Sequence, residues 1–280
     1  MNKTTTYEPD NSIKKGYISL WKEIIWELTH NKWLTFQLFK RDFFAVYKQS
    51  LVGIFWAFIV PIVSVGTFII LNRSGILEFG KIEVPYPIYA ILGMAFWQLF
   101  STGLITTSNS LVKAGSMLVK INFSKKSLVI ASATQSLIAF IVQMVLVGIL
   151  FGFYQVYPSV KILFFPLLMV PIFFLTLGLG FIISLFNSIV RDISNSLSVF
   201  MTFLMFLTPV LYAKPKIGAL APITKFNPLY YLVSIPREFI LTGTMNEWKG
   251  YLISTGFSLL VFLVGLTIFH LTETRITERL

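Results

Sequence analysis

The feature that most constrains this chain is a series of six long intervals without a single Asp, Glu, Lys or Arg. They lie between Lys48 and Arg73, Glu83 and Lys113, Lys126 and Lys161, Lys161 and Arg191, Asp192 and Lys214, and Lys249 and Glu273. Each holds enough apolar residues for a helix to cross hydrocarbon, which takes roughly 20. The runs are continuously apolar and do not alternate with a period of two, which excludes a β-barrel. The expected fold is an all-α integral membrane protein with six transmembrane helices. The first three centre on 51–71, 87–111 and 128–154, and the others follow Lys161, Asp192 and Lys249. An even number of crossings puts both termini on one side.

Composition closes the other routes. Charged residues are 12% of the 280, hydrophobic residues 55%, and the mean hydropathy is +0.77. A soluble domain of this size lacks the interior to hide so much apolar surface, and a disordered chain would be far more polar. The net charge of +11 is diluted among apolar runs and forms no nucleic-acid patch. The absence of cysteine removes disulfides, thiolate metal sites and cysteine nucleophiles. The two histidines, His30 and His270, are far apart and read as ordinary helix-end residues, so no metal site is expected. Pro61, Pro166, Pro171 and Pro209 fall inside the spans and predict kinks. Gly148 and Gly152 form a small-xxx-small pair that predicts close helix packing.

Residues 1–50 are read as a cytoplasmic N-terminal region, 51–272 as the six-span domain, and 273–280 as a short cytoplasmic tail. The polar stretch Met1 to Gly16 has no signal-peptide pattern. Two amphipathic helices are expected next. In 17–30 the apolar positions are Ile18, Trp21, Ile25 and Leu28; in 31–50 they are Phe36, Phe39, Phe43 and Val46. Basic, aromatic-rich helices of this kind suit the membrane interface. Lys/Arg bias sets the orientation. With the N-terminus inside, 15 of the 23 basic residues lie inside, among them four lysines and no acid between Lys113 and Lys126. Between spans five and six, 214–248 is too apolar for a solvated loop and too interrupted for a crossing. Two short re-entrant or interfacial helices, broken between Ala221-Pro222 and Asn227-Pro228, are expected there, on the outer side.

The chain is poor in reactive groups. Gly75 to Ile82 matches GxxxxGK, but Ile82 stands where a phosphate-binding loop needs Ser or Thr for magnesium. Gly178-Leu179-Gly180 lies within a span and reads as packing. No predicted span contains an Asp, Glu, Lys or Arg, so neither a proton relay nor the acid–base kit of a membrane enzyme is visible. No catalytic residue is assigned. Uphill transport by such a chain needs energy from a partner.

Several motifs resemble one family. Arg41-Asp42-Phe43-Phe44-Ala45-Val46-Tyr47-Lys48-Gln49-Ser50, continuing through Gly53 and Trp56 to Pro61, resembles the pattern RD-x4-YKQS-x2-G-x2-W-x4-P at the start of the membrane subunit of bacterial polysaccharide ABC exporters. Gly93-Met94-Ala95-Phe96-Trp97 and Ser108-Asn109-Ser110-Leu111 resemble its second span. Asn187 to Arg191-Asp192 resembles its NxxxRD loop, and Thr208-Pro209-Val210-Leu211-Tyr212 with Asn227-Pro228-Leu229 resembles its fifth span and outer gate. The motifs occur in the family's order over about 30–270.

The resemblance implies a channel-forming permease that acts as a homodimer in the bacterial cytoplasmic (inner) membrane. It implies two copies of a separate cytoplasmic ATP-binding subunit, which would hold the ATP and magnesium; this chain would carry no cofactor. The cargo implied is lipid-linked polysaccharide of the O-antigen, capsule or teichoic acid type. The polar N-terminal extension is more similar to the O-antigen exporters than to the teichoic acid ones, and O-antigen is the expected cargo, with teichoic acid or capsule as the alternative. Residues implied to couple to the ATPase are Arg41, Asp42, Lys48, Ser116, Lys120, Lys125, Arg191 and Asp192. The polysaccharide path would use Tyr47, Trp56, Trp97, Tyr230 and Tyr231. The outer gate would use Asn227, Pro228 and Arg237. Two other classes compete: a membrane enzyme acting on lipid-linked sugars, and an exporter of drugs or lipids.

Overall fold

The computed structural model describes residues 16–48, 55–74, 82, 84–115, 123–190, 192–215, 217–218 and 220–276. Among them there is no strand. Twelve α-helices follow in order. These are α1 Tyr17–His30, α2 Lys32–Lys48, α3 Trp56–Arg73, α4 Tyr86–Ser108, α5 Ser110–Ala114 and α6 Lys125–Phe153. After a 3-10 turn at Val160–Phe164 come α7 Phe165–Leu168, α8 Val170–Ile189, α9 Asp192–Leu207, α10 Leu220–Phe226, α11 Pro228–Thr242 and α12 Trp248–Ile276. The GxxxxGK stretch lies outside the described residues apart from Ile82.

Four stretches are long and apolar enough to cross a membrane: Tyr86–Ser108, Lys125–Phe153, Ile162–Ile189 and Trp248–Glu273. Phe58–Leu71 and Asp192–Leu207 are apolar but shorter. Large apolar side chains such as Ile141, Val145, Ile149, Phe200, Phe203 and Phe206 stay exposed on the outside of this bundle. Water would penalise that surface; hydrocarbon does not.

Helix α4 is the axis of the bundle. It packs against α3, α6, α8, α9 and α11 and buries Phe96, Trp97, Leu99 and Phe100. A pair of glutamines also joins α4 to α6, where Gln143 Nε2 donates to Gln98 Oε1 at 2.7 Å. A polar pair of this kind is used in membranes because neither amide finds a better partner in lipid.

Glycines decide where backbones touch. A Cβ on Gly178 would lie 2.6 Å from Phe262 N and Val261 O, and Gly265 is seated on the Gly178 carbonyl. Helices α8 and α12 therefore meet backbone to backbone, with Phe174 stacked on Phe262 alongside. Gly180 similarly accommodates Thr107 of α4. The expectation for Gly148 and Gly152 is corrected: nothing lies within 4 Å of either Cβ position. Both are on the exposed side of α6 with Ile141, Val145 and Ile149, so their spacing sets no contact within this chain.

The prolines also need correction. Pro61 is inside α3, but Pro166 and Pro171 stand in the first turns of α7 and α8. Pro209 follows the end of α9. At a helix start the missing N–H costs nothing, so these prolines begin or end helices instead of kinking them.

The two N-terminal helices form with a break at Asn31, whose amide and side chain both donate to Glu27 O. Their packing faces match the expected stripes in part: Trp21, Leu28 and Phe39 pack against the bundle. Leu20 and Ile24 are the buried residues of α1, and Leu38 is buried in α2. Ile18, Ile25 and Phe36 face outward with Trp26, Trp33 and Phe44. Helix α2 leans on α6.

Candidate functional site

Three groups of polar residues are built into this apolar bundle, and they lie toward the two ends of α4. The first surrounds Arg237, which is 3% exposed. Its guanidinium donates through Nη1 to Val210 O, and through Nη2 to Pro209 O at 3.1 Å and Ser234 Oγ at 3.2 Å. Its Cζ stands 3.7 Å from the centroid of the Tyr89 ring, and Tyr89 Oη donates to Tyr212 O at 3.0 Å. The carbonyls that Pro209 and the turn after α9 leave outside any helix thus gain a charged donor, and the buried charge gains acceptors and a π face. Gly93 makes the approach possible: a Cβ there would lie 2.6 Å from Arg237 Nη1 and collide with Val210 O.

Asn227 fastens the same turn from the other side. Its Nδ2 donates to Thr208 Oγ1 at 2.8 Å, and its Oδ1 accepts from Leu229 N at 3.0 Å. The second bond caps α11, with Pro228 in the first turn, where its missing N–H is harmless. Four segments singled out separately in the sequence, at Gly93, Thr208–Tyr212, Asn227–Pro228 and Arg237, therefore form one cluster.

The second group lies about 22 Å away along α4, taking fifteen residues at the usual helical rise. Asn187, 1% exposed, donates through Nδ2 to Ser108 O at 2.9 Å and to Asn109 Oδ1 at 3.3 Å. Its Oδ1 accepts from Ser194 N at 3.1 Å. One amide thus joins the break between α4 and α5 to the start of α9. Asp192, the first residue of α9, is exposed and its charge suits a helix N-terminus. Arg191 lies outside the described residues.

The third group is ionic, and the sequence reading missed it. Lys126 is fully buried, with Nζ 2.7 Å from Glu27 Oε2 of α1 and paired with Glu273 Oε1 of α12. Lys125, expected in a cytoplasmic loop, begins α6 and donates from Nζ to Glu273 O at 2.7 Å. His270 Nδ1 is 3.5 Å from Glu273 Oε1 and 3.8 Å from Glu27 Oε2. Glu27, His270 and Glu273 could offer three ligand atoms within 4.8 Å of one another. The Lys126 ammonium occupies the place between the carboxylates where a cation would sit, so the cluster already holds its own positive charge. The only legible signal was that Lys126 borders a charge-free interval.

The remaining expected residues fall as follows. Arg41 and Asp42 pair with each other at 2.8 Å on the surface of α2. Ser116 and Lys120 lie outside the described residues, as do the side chains of Tyr47 and Lys48. Trp56 is half exposed at the start of α3. Trp97 is a correction: it is 4% exposed and packs beside Phe100 in the core, so it offers no face to a passing chain. Tyr230 is buried against Tyr231, edge to face, with Lys214 Nζ 4.9 Å above its ring. Tyr231 is half-buried.

Long apolar helices, lipid-compatible outer faces and buried polar fasteners define a polytopic membrane protein. The chain belongs to the ABC-2 type transporter family, whose profile matches residues 34–241, about three quarters of its length. Two O-antigen export system permease proteins RfbA of Klebsiella pneumoniae are similar to it. They are 24% identical over 242 residues and 25% over 243, each match spanning 85% of this chain and 91% of the relative. The O-antigen export system permease protein RfbA of Myxococcus xanthus is 26% identical over 218 residues, 75% of this chain and 81% of its own. The family makes this chain a transport subunit and not an enzyme.

Proposed function

We propose that the chain is the channel-forming permease of an ATP-driven exporter. It works as a homodimer with two copies of a cytoplasmic ATP-binding subunit, and it moves lipid-linked polysaccharide, O-antigen in preference to teichoic acid or capsule, across the bacterial inner membrane. The observation that carries this reading is the similarity to three O-antigen export permeases over most of both chains. Motifs resembling those of polysaccharide exporters also meet in space at Arg237 and at Asn187.

In this reading six helices cross. Helix α3 has 18 residues and α9 has 16, lengths of about 27 and 24 Å at the helical rise. That is close to the roughly 30 Å of hydrocarbon, which bilayers adjust to at small cost. Helices α10 and α11, with 7 and 15 residues, form the re-entrant outer gate, held by Asn227 and Arg237. Both chain ends are cytoplasmic, and the meeting of Glu27 and Glu273 at Lys126 supports their sharing a side. Coupling to the ATPase uses Arg41, Asp42, Lys48, Ser116, Lys120, Lys125, Arg191 and Asp192. The path uses Tyr47, Trp56 and one of the Tyr230–Tyr231 pair. ATP and magnesium sit on the partner.

The test is genetic. Expressed with its ATP-binding subunit in a strain lacking its own O-antigen exporter, the chain should restore surface O-antigen. An ATPase-dead partner should abolish that restoration. Restoration independent of the partner would contradict the proposal.

A further inference from the structure

We propose that the open cleft where α10, α11 and α12 meet is a binding site for a phosphate group carried by a sugar or by a lipid headgroup. The inference rests on the orientation given above, which puts the cleft on the outer face.

The cleft has a volume of about 740 Å³. Three lysines line it, Lys214, Lys225 and Lys249, against one carboxylate, Glu247. Lys214 is spoken for: its Nζ lies 2.5 Å from Glu247 Oε1 and above the Tyr230 ring. Among the described residues no carboxylate pairs with Lys225 or Lys249, and both are exposed. The lining therefore carries uncompensated positive charge, which an anion at the cleft would neutralise. Lysine binds phosphate as a mobile point charge and does not need the fixed fork of arginine.

Two rings lie beside these charges. Trp248 is half exposed and has Lys249 Nζ 5.8 Å from its ring. Tyr231 is held on three counts. Its ring occupies the space that a Cβ on Gly250 would need, its Oη donates to Lys225 O at 2.9 Å, and Tyr230 packs against its edge. The bond to the Lys225 carbonyl ties the end of α10 to α11, so the ring keeps its place beside the backbone that carries the lysine without a ligand. A preformed aromatic floor offers a face to sugar or acyl C–H groups, and the lysines take the phosphate. Such a pairing of chemistries fits a phosphate attached to a carbon skeleton better than a free inorganic ion.

The test uses the full chain in nanodiscs with three probes. One is mannose 1-phosphate titrated by calorimetry, the second is mannose as its uncharged control, and the third is phosphatidylglycerol counted by native mass spectrometry against phosphatidylcholine. The wild-type chain should bind mannose 1-phosphate or retain phosphatidylglycerol, and the responding probe tells a sugar phosphate from a lipid headgroup. The double variant Lys225→Ala/Lys249→Ala should lower that binding about tenfold or more. Lys225→Arg/Lys249→Arg should keep it, and Gly250→Ala should weaken it by displacing Tyr231. Equal binding by wild type and the double alanine variant, or equal binding of mannose and its phosphate, would overturn the proposal. Partner-dependent export measured in parallel separates the two ideas: unaltered phosphate binding beside intact export sinks the cleft alone, and export that ignores the partner sinks the exporter reading alone.

Discussion

Lys126 Nζ lies 2.7 Å from Glu27 Oε2, joining residues 99 apart in sequence, and none of the lysine side chain reaches solvent. With Glu273 as its second partner, the ammonium holds α1, α6 and α12 together at one end of the bundle. A buried charge with two carboxylates exists only where all three are in place, so this cluster fixes the position of the amphipathic helix relative to the spans.

Removing the lysine should therefore be costly. Lys126→Ala leaves two carboxylates without the ammonium that lies between them, and breaking a buried pair this way costs about 3–5 kcal/mol. The protein in detergent should melt at a lower temperature and show faster proteolysis between α1 and α2. Lys126→Met combined with Glu27→Gln and Glu273→Gln should recover most of that loss. A triple variant no more stable than Lys126→Ala would show that the charges are not what holds α1.

Arg237 gives a second prediction. Arg237→Lys keeps the charge but cannot reach Pro209 O, Val210 O and Ser234 Oγ together, nor stack flat on Tyr89. Arg237→Ala strands the two carbonyls, and each buried unsatisfied group costs about 1–3 kcal/mol. Thermal melting should rank wild type above lysine and lysine above alanine. Gly93→Ala should resemble Arg237→Ala, because its Cβ takes the space of the guanidinium and of Val210 O.

Asn187 separates folding from coupling. Asn187→Asp retains the acceptor for Ser194 N and loses the donor to Ser108 O. The variant should be less abundant, because its carboxylate faces Ser108 O and Asn109 Oδ1 without a donor, and in the assembled transporter each folded molecule should show reduced stimulation of ATP hydrolysis by substrate. Full stimulation would mean that the junction of α4, α5 and α9 is only a packing feature.

Two tryptophans should behave in opposite ways. Trp97 is core, so Trp97→Ala creates a cavity costing about 3–5 kcal/mol and should lower the amount of folded protein. Trp56 is half exposed, so Trp56→Ala should leave abundance intact and slow export per molecule. Surface polymer divided by permease abundance makes the comparison; equal ratios for Trp56→Ala and wild type would remove Trp56 from the path.

Four spans were legible because hydrocarbon admits so few charges: four of the six charge-free intervals hold a helix long and apolar enough to cross a membrane, and the other two hold the shorter apolar helices Phe58–Leu71 and Asp192–Leu207. What failed needed a second helix to be seen. Gly178 and Gly148 look alike in sequence, yet only Gly178 meets a neighbouring backbone, at Phe262. Trp97 carried a family motif, but the motif does not say which side of α4 faces the core. Leu20 and Ile18 are equally apolar, and the direction of the Glu27–Lys126 pair helps decide which one turns inward. Arg237 was expected as an outer-gate residue, and its buried position depends on carbonyls 27 and 28 residues earlier. No local pattern encodes such a partner.

In the proposed function this chain conducts polymer while a partner supplies the energy. Co-reconstitution with its ATP-binding subunit in liposomes loaded with fluorescent lipid-linked O-antigen tests it most directly. ATP should make the polymer accessible to an enzyme on the far side, at a rate abolished by vanadate or by an ATPase-dead partner. Polymer that crosses equally fast without ATP, or that never crosses although the assembled complex hydrolyses ATP, would contradict the account.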